Sequence, residues 1–260
     1  MTGYTLQQGR VPLLLSLPHD GTALPPDVAA TLTDSARALP DTDWLVGRLY
    51  AFAGELGASV LTPRWSRYVV DLNRPPDGAS LYPGQFETGI CPLRSFSGAP
   101  IHRDGAAPDA ATIAARVEAY WQPYHAALGA ELERLRATHD RVVLWDGHSI
   151  RGELPHLFPG TLPDLNLGTA DGASCGPGLA LALAHALGAQ SAYTFAINGR
   201  FKGGYITRHY GRPGQGIHAV QLELAQRTYL DEATARWDAA RATALQGLLR
   251  RLLETALAAL

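Results

Sequence analysis

Cysteine is scarce: the 260 residues hold two, Cys91 and Cys175. Two thiols cannot build a multi-disulfide secreted scaffold, nor a zinc site made of three or four cysteines. A reduced, cytoplasmic chain is the expectation. Lysine is scarcer, with Lys202 alone among 22 basic residues. The arginines form no basic arm or stripe and the formal net charge is −2, so a nucleic-acid partner is not expected. The apolar stretch 11–18 is far short of the roughly 20 residues that span a bilayer, and it lacks the basic start of a signal peptide. No membrane partner is expected. Internal repeats and low-complexity tracts are absent. What remains is ordinary globular material, 46% hydrophobic and 18% charged, enough to bury a core in one large α/β domain or two small ones.

Several short apolar runs read as strands. Residues 11–17 end at Pro18-His19-Asp20-Gly21, a strand stopped by a turn. Residues 59–61, 68–72, 142–145, 193–197 and 218–225 are further strand candidates. Helices are predicted over 27–39, 43–56, 109–139 and 177–187, with Pro123 expected to kink or split the third. Near the carboxyl terminus, Leu245, Leu248, Leu249, Leu252, Leu253, Ala256 and Leu260 fall on one helical face, which predicts a core helix. Residues 75–107 and 151–176 are predicted as long irregular excursions, the kind of loop that often carries function. Strands alternating with helices predict a mostly parallel sheet covered on both faces, with ligands beyond the carboxyl ends of its strands.

Those strand ends hold the chemistry. His19 follows the first strand; Asp146 and His148 follow 142–145. Neutral imidazole is a good zinc ligand, and hydrolytic zinc sites take three protein ligands and a water. Either histidine would also serve as a hydrogen-bonding turn residue. For a third ligand the residues leave Asp20, Asp41, Asp43 and Asp146 open; Asp43 would sit in the first turn of its helix, near the positive end of the dipole, and Asp41 or Asp43 would also suit an N-cap. Glu223 alternates with Val220, Leu222 and Leu224. A carboxylate at mid-strand is costly to bury unless paired or functional, so Glu223 is either a general base or part of a solvated edge-strand face. Arg67 and Arg74 flank residues 68–73, and guanidinium grips carboxylates in a bidentate fork. Asn198-Gly199-Arg200-Phe201-Lys202-Gly203-Gly204 joins backbone-exposing glycines to cations, but the nucleotide-binding pattern GxxxxGK[ST] is absent.

Together these segments resemble the N-formylglutamate amidohydrolases of bacterial histidine breakdown. The resemblance runs through Ser16-Leu17-Pro18-His19-Asp20-Gly21, Asp41-Thr42-Asp43-Trp44, residues 66–74, Leu144-Trp145-Asp146-Gly147-His148-Ser149-Ile150-Arg151, residues 162–169, residues 198–208 and Gln221-Leu222-Glu223. It spans 16–223, and its specificity lies in the joint order of the segments. It implies a single domain over residues 1–260 with a zinc-carboxypeptidase-like α/β fold, related to aspartoacylases. It further implies zinc, one per chain, although the same ligands suit cobalt, manganese or iron. Carried over position by position, His19 and His148 match the histidine ligands and Glu223 the base. Arg67 resembles the arginine that stabilises the oxyanion, with the spacing to Arg74 one residue shorter than in aspartoacylases. Asn73 and Arg74 resemble the pair that holds a substrate carboxylate. Those relatives place a carboxylate ligand three residues after the first histidine; here that residue is Thr22, so the ligand is placed on Asp43. Arg200 is the candidate for the distal carboxylate of N-formyl-L-glutamate, with Arg151 and Arg208 next in line, and Asn198 is a further substrate-binding candidate. The implied reaction is hydrolysis of N-formyl-L-glutamate to formate and L-glutamate, the last step of a histidine degradation route. A same-mechanism amidohydrolase for another N-acyl amino acid, or a non-catalytic dicarboxylate-binding protein, is the alternative. Oligomeric state is left open.

Overall fold

Residues 3–81 and 87–260 are described by the computed structural model. Seven strands form one sheet: β1 (Tyr4–Gln7), β2 (Leu13–Ser16), β3 (Ser59–Pro63), β4 (Val142–Ile150), β5 (Leu165–Gly168), β6 (Phe195–Ile197) and β7 (Ile217–Ala225). Their order is β1-β3-β2-β4-β7-β5-β6. The pairs β3–β2, β2–β4, β4–β7 and β5–β6 are parallel, while β1–β3 and β7–β5 are antiparallel. The chain is thus an α/β fold on a mostly parallel mixed sheet.

Strand alternation sorts the core into two layers. Leu13, Leu15, Val143, Trp145, Val220, Leu222 and Leu224 face one side, where they meet α3 (Val46–Leu49), α6 (Pro177–Gly188) and α8 (Ala239–Ala258). Leu14, Val142, Leu144 and Ala219 face the other, against α5 (Gln122–Arg136) and Ile206 of α7 (Tyr205–Tyr210). Helices on both faces explain why β4 is buried along its whole length. The apolar face predicted near the carboxyl terminus is the buried stripe of α8, whose N-cap Asp238 accepts the Arg241 N–H at 3.0 Å.

The predicted helices are shorter than their periodicity. Residues 27–39 divide into α1 (Pro26–Thr31) and α2 (Asp34–Arg37), because Thr33 caps the second by accepting the Ala36 N–H. Residues 43–56 divide into α3 and a 3-10 turn, Ala51–Gly54. Residues 109–139 divide into α4 (Ala110–Arg116), a π-helical turn at Val117–Trp121, and α5. Pro123 offers no N–H, and the wider turn just before it absorbs the missing bond.

Two strand assignments change. Residues 68–72 are not a strand. Tyr68, Val69, Val70 and Leu72 are buried, but the backbone turns, bonding Val69 N–H to Ser66 O, Asp71 N–H to Ile90 O and Arg74 N–H to Asp71 O. Conversely, the predicted loop 151–176 contains β5, which pairs antiparallel with β7, Asn166 opposite Glu223. That pairing makes β7 a central strand, so Glu223 does not lie on a solvated edge.

Candidate metal centre and active-site cleft

β2, β4 and β7 are parallel and deliver their carboxyl ends to one edge of the sheet. His148 lies beside Glu223 in the ladder, and Asp146 beside Gln221. All four lie on the face opposite Val143, Trp145, Val220 and Leu222. The turn after β2 brings His19 to the same place.

Each imidazole is held by its Nε2. That of His19 lies 2.8 Å from Asp71 Oδ1, and that of His148 lies 3.0 Å from Asp146 Oδ1. With Nε2–H donated to a carboxylate, Nδ1 of each ring is left to carry a lone pair; Asn73 Nδ2 also lies 2.9 Å from the His148 Nε2. These two Nδ1 atoms point at each other, 3.2 Å apart. Asp43 Oδ2 completes a triangle, 3.0 Å from His148 Nδ1 and 3.7 Å from His19 Nδ1. Ligands on a tetrahedral zinc with bonds of about 2.0–2.1 Å stand about 3.3 Å apart. The three donors therefore have the spacing of one tetrahedral face. Two lone pairs and a carboxylate cannot converge without a cation among them, so the donor set fits a metal. Among the described residues, His19, Asp43 and His148 are the group that could hold one.

Charge points the same way. Asp43, Asp71, Asp146 and Glu223 are all buried here, with Arg67 as the buried guanidinium among them. Burial opposes a charge on His148, but Asp146 and Asp43 outweigh it and push its pKa well above the usual imidazole range. Without a metal, a proton takes the cation's place. On Asp43 the sum runs the other way: burial raises its pKa, but His19 and His148 hold it below the ordinary carboxylate range.

The other candidate carboxylates have different work. Asp41 accepts Tyr68 O–H at 2.8 Å and Phe96 N–H at 3.0 Å, tying two loops together. Asp20 faces the amides of Gly47 and Val46, and burial pushes it up to about 6. Asp146 is the anchor of His148; it also accepts Thr207 O–H at 3.0 Å and an N–H of Asn73 at 3.2 Å. Asp43 alone of the four reaches the triangle. Its loop is fixed by Asp43 N–H to His19 O and by Ser149 N–H to its own Oδ2, and it includes Leu45 in the left-handed region at φ 63°. A branched side chain at positive φ is a local cost tolerated at a constrained site.

Arg67 and Glu223 flank the triangle. Arg67 Nη2 donates to Asp71 Oδ2 at 2.6 Å, and its Nη1 stands 3.8 Å from Asp43 Oδ1. Asp71 thus bridges the arginine and His19. The Glu223 carboxyl receives a long contact from Gln221 Nε2 at 3.4 Å. Burial pushes it up to about 8, against the pull of His148 and Arg67 and with the push of Asp43 and Asp146. A carboxyl raised in this way is suited to proton transfer near neutral pH.

An open cleft leads to these groups. Arg74 and Arg200 line it. Arg74 donates to Thr88 O at 2.8 Å, Asn73 O at 3.1 Å and Thr88 Oγ1 at 3.3 Å, all neutral acceptors. Arg200 Nε donates to Leu157 O at 3.2 Å. Asn73 lines the cleft but is already engaged, with Oδ1 accepting Ile206 N–H at 2.8 Å and Nδ2 reaching Asp146. A Cβ on Gly204 would lie 2.5 Å from Asn73 Nδ2, so glycine is what lets α7 close onto that amide.

Three of the sequence candidates lie away from the cleft. Asn198 does not line it; its Oδ1 accepts Thr169 N–H at 2.8 Å, bracing the turn after β5. Arg151 borders a separate small recess next to Asp41. Arg208 is exposed and donates to Gly203 O at 2.8 Å. Sequence reasoning missed the anchoring roles of Asp71 and Asp146, and missed Thr207 and Gln221 altogether. Gln221 shares the face of Glu223 by alternation, which was the available signal; its bond from Gly204 N–H at 2.7 Å ties the start of α7 to β7.

Known proteins are similar to this chain. Residues 11–230 match the family model described as N-formylglutamate amidohydrolase. The chain is 53% identical over 255 residues to the N-formylglutamate deformylase of Pseudomonas aeruginosa, covering 98% of this chain and 96% of that protein. It is 50% identical over 257 residues to the N-formylglutamate deformylase of Pseudomonas putida, covering 98% and 95%. A solved N-formylglutamate amidohydrolase from Ralstonia eutropha JMP134 superposes with a TM-score of 0.84 at 26% identity, over 100% of this chain and 98% of that one. The fold extends to a gene product of Agrobacterium tumefaciens, with a TM-score of 0.70 at 20% identity over 98% and 96% of the two chains. By sequence along nearly its whole length, the chain belongs to the N-formylglutamate amidohydrolase family.

Proposed function

We propose that this protein hydrolyses N-formyl-L-glutamate to formate and L-glutamate, as one catalytic domain over residues 1–260 with one zinc per chain held by His19, Asp43 and His148. The observation that carries the reading is the convergence of two anchored Nδ1 atoms, 3.2 Å apart, with Asp43 Oδ2, beside the buried Glu223 carboxyl. The family membership supplies the substrate, since the curated relatives are named N-formylglutamate deformylase.

Zinc at this position supplies a Lewis acid that polarises a carbonyl and lowers the pKa of water toward about 7. The remaining work belongs to the chain. Glu223 accepts a proton from the attacking water as oxygen adds to the formyl carbon. Arg67, oriented by Asp71, donates to the developing oxyanion, a contribution of roughly 3 kcal/mol for such a donor. Glu223 returns the proton to the glutamate nitrogen as the C–N bond breaks, giving formate and the free amine. Arg74 takes one substrate carboxylate and Arg200 the other. The cleft's cations thus sit on the glutamyl side and the proton carrier on the formyl side.

The product, glutamate, fits the last step of a histidine degradation route in the cytoplasm. Among the described residues no helix is long and apolar enough to cross a membrane. The test is formate release by purified protein of measured zinc content. N-formyl-L-glutamate should exceed N-formyl-L-aspartate and N-formyl-L-glutamine in kcat/KM. A higher value for either competitor assigns the site to another N-acyl amino acid, and binding without turnover assigns it to a dicarboxylate-binding protein.

A further inference from the structure

Four bonds radiate from the carbon at which hydrolysis occurs, and each needs its own direction in the cleft. Incoming oxygen lies on the side of Glu223 and the ligand triangle. The developing oxyanion points to Arg67. Nitrogen and the glutamyl skeleton point toward Arg74 and Arg200. The fourth bond carries the acyl substituent, hydrogen in a formyl group. Of the residues lining the cleft, Phe96, Ser149 and Ile150 belong to none of the first three directions and surround the Arg67–Asp43 corner.

Phe96 is well placed to close that direction. Its ring lies 4.7 Å from the Arg67 guanidinium carbon, and its N–H is pinned to Asp41 Oδ2. It packs with Ile150, Leu154, Phe158 and Leu162 in a small apolar cluster, so the ring is clamped from behind. Ser149 is clamped as well, with its N–H on Asp43 and its Oγ 2.6 Å from Tyr229 O–H. Behind this wall is a small recess of about 10 Å³, room for about one water or a methyl group, and Phe96, Ser149 and Ile150 line both it and the cleft. The same three residues are therefore a partition between two spaces rather than the edge of solid core.

We propose that Phe96, together with Ile150, is the partition that restricts the acyl group to formyl, and that the recess behind it is a latent acyl pocket. The inference rests on the reading of this site as an N-formylglutamate hydrolase. A rigid wall excludes a methyl group because overpacking a well-filled apolar contact is costly, and one methylene of discrimination is worth about 10- to 200-fold in kcat/KM.

The experiment compares kcat/KM for N-formyl-L-glutamate and N-acetyl-L-glutamate in wild type, Phe96→Ala, Phe96→Leu and Ile150→Ala. The ratio of acetyl to formyl cancels general damage to the site. It is expected to rise at least about tenfold in Phe96→Ala and by a smaller factor in Ile150→Ala, which keeps the stack on Arg67. If Phe96→Ala does not fold, Phe96→Leu and Ile150→Ala carry the comparison. A ratio within threefold of wild type in every folded variant, with formyl turnover retained, overturns the partition and leaves the hydrolase reading standing. Wild type that releases no formate overturns both.

Discussion

A histidine announces itself in a sequence; the job of its second nitrogen does not. His19 and His148 stood out because each follows a strand, whereas the roles of Asp71 and Asp146 appear only when their carboxylates are seen on the Nε2 atoms at 2.8 and 3.0 Å. The residues alone left four aspartates open as the third ligand, because which one reaches the two Nδ1 atoms depends on loop geometry, and of the four only Asp43 does. Removing an anchor should act through the ring it holds: Asp71→Asn and Asp146→Asn should each weaken zinc affinity by about 10- to 100-fold in a chelator competition. Unchanged affinity in both would reduce these carboxylates to packing. Glu223→Gln keeps shape but cannot take a proton, so zinc content should stay at wild type while kcat falls by about 100-fold or more. Protons and metal compete for the same cluster. In metal-free protein the pKa of His148 is raised, a stabilisation complete below its unfolded value and lost as pH climbs through the folded one. Glu223, pushed by burial from the ordinary carboxyl range up to about 8, acts in the same sense: the folded state holds its proton more tightly, and that advantage disappears as pH rises toward 8. Metal binding must displace protons, so it strengthens with pH. The gap in Tm between zinc-loaded and chelated protein should therefore be wider at pH 8 than at pH 6. A gap that narrows contradicts the competition.

At the scale of elements, legibility followed length and regularity. α8 was readable because six of the seven predicted apolar positions, all but Leu260, repeat on one buried face of it. Its stripe is core, so Leu249→Ala should cost about 2–5 kcal/mol in urea unfolding and leave kcat near wild type; loss of zinc instead would mean that α8 supports the metal site directly. Residues 68–72 misled because a buried loop can be as apolar as a strand, and the sequence does not say that Asp71 and Ile90 share a backbone bond. β5 was missed for the opposite reason: four residues within a Pro- and Gly-rich stretch carry too little pattern. Yet β5 makes Glu223 central. The arginines proposed to hold the substrate also belong to loops, Arg74 before the residues around Pro76 and Arg200 before α7. A lost charge-assisted contact costs about 1.5–3 kcal/mol, or roughly ten- to a hundredfold. Arg200→Met should depress kcat/KM for N-formyl-L-glutamate by that order and spare N-formyl-L-glutamine, whereas Arg74→Met should depress both. Equal losses in both variants would place the distal contact elsewhere.

Over the whole molecule, the parallel strands do the organising. β2, β4 and β7 bring His19, His148 and Glu223 to one edge from positions 75 to 204 residues apart in the chain, and the register of β4 on β7 sets the spacing of His148 and Glu223. The sheet class and the edge were legible from short apolar runs alternating with helices. The meeting of the side chains was not, since strand order is a property of packing. Net charge is nearly balanced at −2, while the site concentrates carboxylates in its floor and guanidinium groups along its cleft, as the proposed cation below and dianionic substrate above require. Zinc titration of chelated wild-type protein, with formate release from N-formyl-L-glutamate followed at each addition, is the most direct measurement of that arrangement. Activity should be negligible without metal and rise linearly to a plateau at one zinc per chain, and Glu223→Gln should take up the same equivalent without gaining activity. Full turnover by the metal-free protein, or a plateau reached by Glu223→Gln, would contradict it.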